Sequence, residues 1–282
     1  MEKDRLYKIL AFNSDNNKEI QRSCAFFYDM LGRTQPFVIP DIQAVARTLF
    51  LEKGFKLLHI PMNSDEIGAY QLRLSGNNYL VINTNNSLAT NNFAIAHEIY
   101  HLLVQPKTNS DGIEVYLNTY DDNPDEHYAN AFAGNILMPK EDFVMVVRML
   151  ETVLKKYSNI GKKYSKEIIT ILGLMGYYRT TYMSVVIRCF ETGVLDHENT
   201  ALVDYLLQKN DEEKLKSIFN HVAKDIGATS IMMPTLEDDY SLFREKAVKM
   251  AEEHIRGGLL TSEDFEIRLK EMDKAYQAIK EA

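Results

Sequence analysis

The chain has 282 residues, of which 45% are hydrophobic and 26% are charged, and its formal net charge is −8. A chain of this length and polarity can bury more than one hydrophobic core, and its negative charge argues against a protein that coats nucleic acid. No run of about 18 apolar residues is present and the first residues lack the pattern of a secretory signal, so we expect a cytoplasmic protein with no membrane span.

In chain order, the first predicted elements are helices at residues 20–31 and 42–53, where apolar residues recur at helical spacing. A short strand follows at residues 55–60 and ends before a proline. Apolar residues then alternate with polar ones from Tyr70, and a second β-rich run extends to Asn83 after a group of turn-forming residues. This pattern predicts a β-hairpin.

The next predicted helix covers residues 93–104, where apolar residues again recur at helical spacing. Asn91 or Asn92 is the expected N-cap, and Pro106 ends the helix. This helix contains the clearest chemical pattern in the chain, a pair of histidines four residues apart with a glutamate next to the first of them.

The pattern is an HExxH motif formed by His97, Glu98 and His101. Residues four apart lie on one face of a helix, so both imidazoles can bind one metal ion, for which Zn²⁺ is the expected identity. Glu98 would lie beside them as the general base that takes a proton from a water acidified by the metal. Alternatively, the two histidines are ordinary residues on a partly exposed helix face, although the pattern arises by chance in only about one such chain in a hundred.

A catalytic zinc ion takes three protein ligands and keeps one open position, so the motif needs a further ligand. No third histidine follows His101 at the spacing that metzincins use. The best candidate for the third ligand is Glu126, and the alternatives are His127, Glu114 and Asp125.

Glu126 lies near the start of a second predicted helix, which begins at Asn123 and ends at Leu137. Alanines one and two turns further along the same face would let this helix approach the HExxH helix closely. Asn130, one turn after Glu126, is expected to hydrogen-bond a ligating histidine and so fix its tautomer. A competing interpretation is that Glu126 only completes a capping box for its own helix.

Three segments carry a resemblance to a known family: the strand YLVIN, the helix FAIAHEIYHLLV and the run EHYANAFAGNILMP. Together and in this order they resemble the ImmA/IrrE family of metallopeptidases, which are gluzincin-like enzymes. The resemblance is specific across residues 70–140 and implies that Glu126 is the third zinc ligand. One position departs from the family pattern, because Tyr100 stands where family members usually have glycine, and a bulky residue there could narrow the cleft or offer a hydroxyl near the metal.

The same resemblance implies a function. We expect a zinc-dependent endopeptidase that cleaves a helix-turn-helix repressor and thereby relieves transcriptional repression, either as an anti-repressor of a phage or mobile element or in a stress response. Two other hypotheses remain open at this point. One is a regulator that keeps its zinc but antagonises a repressor by binding alone, and the other is a DNA-binding regulator.

The fold expected from these elements is α+β. A small antiparallel sheet should pack on the HExxH helix as a minimal zincin-like peptidase domain, and an all-helical C-terminal half should follow it. We place the peptidase domain at residues 1–140, a helical, helix-turn-helix-like module at residues 141–196 and a C-terminal helical region at residues 197–282.

The helix-turn-helix-like segment lies between residues 168 and 195, in the basic part of the chain. Residues 140–195 hold 9 Lys or Arg and 5 Asp or Glu, a net charge of +4 (9 − 5). Arg179, Arg188 and the lysine pairs at 155–156 and 162–163 could contact DNA phosphates. The second helix lacks an obvious set of base-reading side chains, so we favour a helical module packed on the peptidase domain over a DNA contact.

Overall fold

The computed structural model describes residues 1–64, 67–74, 77–104, 112–117, 123–154, 164–226 and 231–281. These ranges form an α+β fold, as predicted, in which α6 to α12 make the C-terminal half helical. None of the helices described has the length and apolarity needed to cross a membrane. The strands are β1 (Phe55–Ile60), β2 (Ile67–Leu74), β3 (Asn77–Asn83) and β4 (Gly112–Leu117). The helices are α1 (Lys3–Asp15), α2 (Asn17–Met30), α3 (Ile42–Glu52), α4 (Leu88–Leu103), α5 (Pro124–Leu137), α6 (Lys140–Leu154), α7 (Lys166–Tyr178), α8 (Tyr182–Glu191), α9 (Thr200–Gln208), α10 (Glu212–Ile226), α11 (Tyr240–Arg256) and α12 (Ser262–Glu281).

The four strands form one sheet in the order β1-β3-β2-β4. The predicted hairpin is present as the antiparallel pair β2 and β3, and β4, which the sequence did not predict, is antiparallel to β2. The sheet is mixed rather than wholly antiparallel, because β1 is parallel to β3. β2 runs opposite to β1, and β3 runs opposite to β2. β3, the second strand of the hairpin, therefore has the same direction as β1 and pairs with it in parallel.

Both faces of the sheet are covered. One face contributes Leu80 and Ile82 to the main core, which extends from α1 to the residues after α10. The other face contributes Tyr70 and Val81 to a smaller cluster that includes Tyr276 of α12. Because alternate residues of a strand point to opposite faces, this arrangement buries polar as well as apolar positions of β2 and β3.

Helix α4 begins earlier than predicted. Its N-cap is Ser87, whose side chain accepts a hydrogen bond from the Thr90 backbone N–H, so the expected cap at Asn91 or Asn92 is wrong. Both asparagines are buried inside the helix, and Asn92 donates a hydrogen bond to the Arg179 carbonyl at 2.9 Å. The Asn92 side-chain amide, which was expected to cap its own helix, therefore bonds a distant part of the chain instead.

A segment that follows α10, residues 231–239, crosses the start of α4, and we call it the strap. The backbone N–H groups of Leu88 and Ala89 donate to the carbonyls of Met233 and Ile231 at 3.1 and 3.0 Å. The first N–H groups of a helix have no partner within the helix, so the strap satisfies two donors that would otherwise need water or side chains. The C-terminal half thus helps to fix the position of the helix that carries the HExxH motif.

Replacing Ser87 tests how much the cap contributes. We expect Ser87→Ala to lower the free energy of unfolding by about 1 kcal/mol, because the first turn of α4 loses a side-chain acceptor. Urea denaturation followed by circular dichroism measures this change. Ser87→Thr keeps a capping hydroxyl and should be closer to the parent protein, and equal stability of the parent and the alanine variant would show that the strap alone caps the helix.

The helix-turn-helix-like segment consists of α7 and α8, joined at Arg179 in the left-handed conformation (φ 52°). α8 packs against α1, α5 and α7. Arg188 is 5% exposed, donates to the Met138 carbonyl at 2.9 Å and pairs with Glu191, so its guanidinium is not on the surface as a DNA contact requires. The lysine pairs at 155–156 and 162–163 lie outside the described residues. The division into three domains stays a prediction.

Candidate metal centre

Two helices bring the predicted site residues together. α4 carries His97, Glu98 and His101, and α5 begins, as predicted, with Asn123 as N-cap and Pro124 in its first turn. The small residues expected on the inner face of α5 are completely buried, which allows the two helices to pack closely. These small residues are Ala129 and Ala133.

The side chains of His97, His101 and Glu126 converge on one point. The two Nε2 atoms are 3.1 Å apart, and the Glu126 carboxylate oxygens lie 3.0 Å from His97 Nε2 and 3.4 Å from His101 Nε2. Ligands about 2.0–2.1 Å from a tetrahedral zinc ion are separated from one another by about 3.3 Å. The triangle formed by these three groups therefore has the size that a zinc ion requires, and its donors are of the right chemical type.

Glu126 is held as a charged group. Burial disfavours its ionised form, but hydrogen bonds from His101 and His97 and the charge on those rings outweigh this effect and lower the pKa of the Glu126 carboxyl. Asn123 caps α5 with its own side chain, which accepts from the Asp125 N–H at 3.0 Å. The Glu126 carboxylate faces the histidines, an arrangement that favours the ligand interpretation over the capping box.

Asn130 lies where the sequence placed it, next to a histidine of the motif. Its Oδ1 is 3.1 Å from His97 Nδ1, and an amide oxygen only accepts hydrogen bonds, so Nδ1 carries the proton. Nε2, the ring nitrogen that faces His101 and Glu126, is then the one that can bind a metal. His101 Nδ1 is also buried, and no described residue hydrogen-bonds it.

Removing this support should weaken metal binding without removing a ligand. We expect Asn130→Ala to lower zinc affinity by about 10–100-fold. This is the typical cost of losing the hydrogen bond that a metal-binding histidine makes through its other ring nitrogen. Competition with a chromogenic chelator measures the affinity. Asn135→Ala is the matched control, because Asn135 lies on the same helix but bonds Gln21 and the Ala131 carbonyl. Equal affinities in the two variants would mean that Asn130 does not act on the histidine.

Glu98 is 4% exposed and is held by a residue that the sequence did not indicate. Gln71 of β2 donates a hydrogen bond from Nε2 to Glu98 Oε2 at 2.6 Å. The alternation in β2 suggested that Gln71 lies on a polar face, but it is buried because both faces of the sheet are covered. The contact engages one carboxylate oxygen, and Oε1 accepts no hydrogen bond from the residues described.

Tyr100, which departs from the family pattern, is a core residue. It is buried, and its ring packs against Phe132 with 5.5 Å between the ring centroids. Burial raises the pKa of the Tyr100 hydroxyl to about 12, so the group stays protonated at neutral pH. The Tyr100 ring therefore adds to the packing contact between α4 and α5.

The alternative ligands do not join the group within the part of the chain that the structure describes. The ring of His127 packs against Phe12, with 4.9 Å between centroids, and Asp125 is not among the three converging side chains. The side chain of Glu114 lies outside the described residues. Tyr128, one of the aromatic residues close to the site in sequence, donates its hydroxyl proton to Asn16 at 2.7 Å.

Comparison with known proteins identifies the part of the chain that contains this site. Residues 52–188 match the family model of the IrrE N-terminal-like domain, a peptidase family. The matched range includes both motif helices and all four strands of the sheet, with Gln71 in β2, and it ends in α8. A search of curated proteins found no significant match.

Proposed function

Because residues 52–188 belong to the peptidase family of the IrrE N-terminal-like domain, we propose that this chain is a zinc-dependent endopeptidase. The observation that carries the proposal is the convergence of His97, His101 and Glu126 beside a buried Glu98. Two imidazoles and a carboxylate are the ligand set of a catalytic zinc ion, and such sites leave a coordination position open.

His97, His101 and Glu126 would hold the ion. When bound, zinc supplies a Lewis acid that polarises a carbonyl and lowers the pKa of water to about 7. The protein's own contribution to proton transfer comes from Glu98, whose Oε1 accepts the proton of the attacking water and later returns it to the leaving amine. Gln71 holds Oε2 of the same carboxylate and so restricts its rotation.

We propose a helix-turn-helix repressor as the protein substrate, with relief of transcriptional repression as the result of cleavage. The support for this substrate is the likeness of the two motif helices to the ImmA/IrrE pattern. DNA binding by α7 and α8 is less well supported, because the arginine of the second helix is buried and paired with Glu191.

Cleavage of a proteome-derived peptide library tests the enzymatic part of the proposal without a known substrate. The zinc-loaded chain should generate new peptide termini, which mass spectrometry identifies, and phenanthroline should stop their formation. Added zinc should restore it. A fully loaded chain that produces no new termini, either from the library or from candidate repressors, would contradict the proposal.

A further inference from the structure

A cavity of about 780 Å³ lies between the sheet and the C-terminal hairpin formed by α11 and α12. Leu58 and Tyr79 of the sheet form one wall, and Phe243 of α11 and Phe265 of α12 belong to the other. The volume is within the range of about 300–1,000 Å³ that is typical of small-molecule sites. No residue of the metal centre lines this cavity, which is therefore a separate feature.

The hairpin is attached to the rest of the protein near the start of α11 and the end of α12. At that end the rings of Tyr240 and Tyr276 stack with 3.8 Å between centroids, and Asp273 accepts hydrogen bonds from Tyr240 and Arg244. The Asn63 N–H donates to the Lys280 carbonyl near the end of α12 at 2.9 Å. The other end of the hairpin is the exposed turn between α11 and α12, and the cavity lies along the helices between the two ends.

Apolar side chains in the cavity remain exposed. Leu242 is 52% exposed and Met250 is 60% exposed, and both line it together with Leu269 and Met272. Covering apolar surface is favourable in proportion to the area that is removed from water. A ligand with an apolar chain would cover these side chains without any rearrangement of the sheet.

The charges around the cavity are mostly positive, although the chain as a whole carries −8. Among the described lining residues, one carboxylate, Asp239, is present, and it is engaged by the backbone N–H and the Nδ1 atom of His59, each at 2.9 Å. The basic lining residues are Arg47, Lys56, Lys246 and Arg268. Except for Lys56, which contacts Asn77, these cations form no ion pair or hydrogen bond with other described residues.

We propose that this cavity binds a small amphipathic anion, a free single-chain molecule with an apolar tail and an anionic head group. The tail packs between the sheet and the hairpin, and the head group meets the cations at the rim. The positive charge selects against neutral and cationic amphiphiles, because a head group partly removed from water needs a partner of opposite sign. This site is independent of the proposed peptidase activity.

Methionine methyl groups provide a direct probe, since the chain contains no tryptophan. Full-length protein labelled with ¹³C in the methionine methyl groups is titrated with decanoate below its micellar concentration. Saturable shifts are expected for Met250 and Met272, which line the cavity. Met145 and Met149 are exposed on α6 and should not shift, so they report non-specific association.

Charge variants test the head-group contact. Lys246→Glu combined with Arg268→Glu should weaken decanoate binding by about tenfold or more, because two attractions are replaced by repulsions. Lys249→Glu combined with Lys270→Glu makes the same change in net charge on the same helices at positions that do not line the cavity. This control pair should bind decanoate as the parent protein does.

Other amphiphiles separate the possible occupants. Decyltrimethylammonium should not bind, and decanol should bind more weakly than decanoate. The proposal is overturned by equal binding of the cationic amphiphile, by shifts of similar size in Met145 and Met149, or by equal binding in the two charge pairs. It is also overturned if vesicles of anionic phospholipid shift the cavity methyl groups while decanoate does not, since the surface would then be a membrane contact.

Discussion

Glu98→Gln is expected to lower the rate of peptide hydrolysis by about 10²–10⁴-fold while leaving the zinc content of the chain unchanged. The amide has nearly the same shape as the carboxylate but cannot accept the proton of the attacking water. The position is buried and is held by Gln71, so the replacement stays in place. The rate at which new peptide termini appear, measured beside zinc per chain by elemental mass spectrometry, checks both parts of the prediction.

Glu245→Gln is the matched control for this change. Glu245 lies on the exposed surface of α11, where it pairs with Lys249, and its replacement should leave hydrolysis as it was. A repressor-controlled reporter extends the comparison to cells. If Glu98→Gln abolishes derepression, derepression depends on catalysis. Full derepression by the inactive variant would instead mean that the protein antagonises its partner by binding alone.

Glu126→Ala is expected to reduce zinc affinity by more than the roughly 10–100-fold expected for Asn130→Ala, which removes only a hydrogen bond to a histidine. The change removes one of the three converging side chains, and the rings of His97 and His101 lose the carboxylate that contacts them. After dialysis, the zinc content of the Glu126→Ala variant should be well below one ion per chain. His97→Ala should give the same result, because both side chains contribute to one site.

Asp125→Ala is the control for Glu126→Ala. It removes an acidic residue from the same first turn of α5 but none of the three converging groups. It should retain about one zinc per chain. If zinc is lost from His97→Ala but retained by Glu126→Ala, the third ligand is another residue and the Glu126 carboxylate only pairs with the histidines.

The local geometry of the candidate site could be predicted from residue spacing. The separation of His97 from His101 places both rings on one face of a helix whatever surrounds it. The start of α5 was also predictable, because Asn123 and Pro124 are strong signals for the first turn of a helix. That Glu126 belongs to the same site came from the resemblance to a family, since spacing alone left the capping interpretation open.

Contacts between distant parts of the chain decided the rest. The parallel pairing of β1 with β3 and the presence of β4 depend on which strand edges meet, and periodicity within a strand does not record this. Gln71 became a partner of Glu98 because both faces of the sheet are covered, so an alternating strand has no solvent face. Arg188 shows the same effect, because its basic side chain is buried and pairs with Glu191.

The sequence by itself therefore determined the helix faces and the types of side chain that the candidate site brings together. These features depend on residues within one or two helical turns of each other, where backbone geometry leaves few alternatives. The tertiary structure decided what holds Glu98, what caps the start of α4 and where the cavity with basic lining residues lies. Those features arise only when segments far apart in the chain pack together, because burial and pairing are properties of the assembled core.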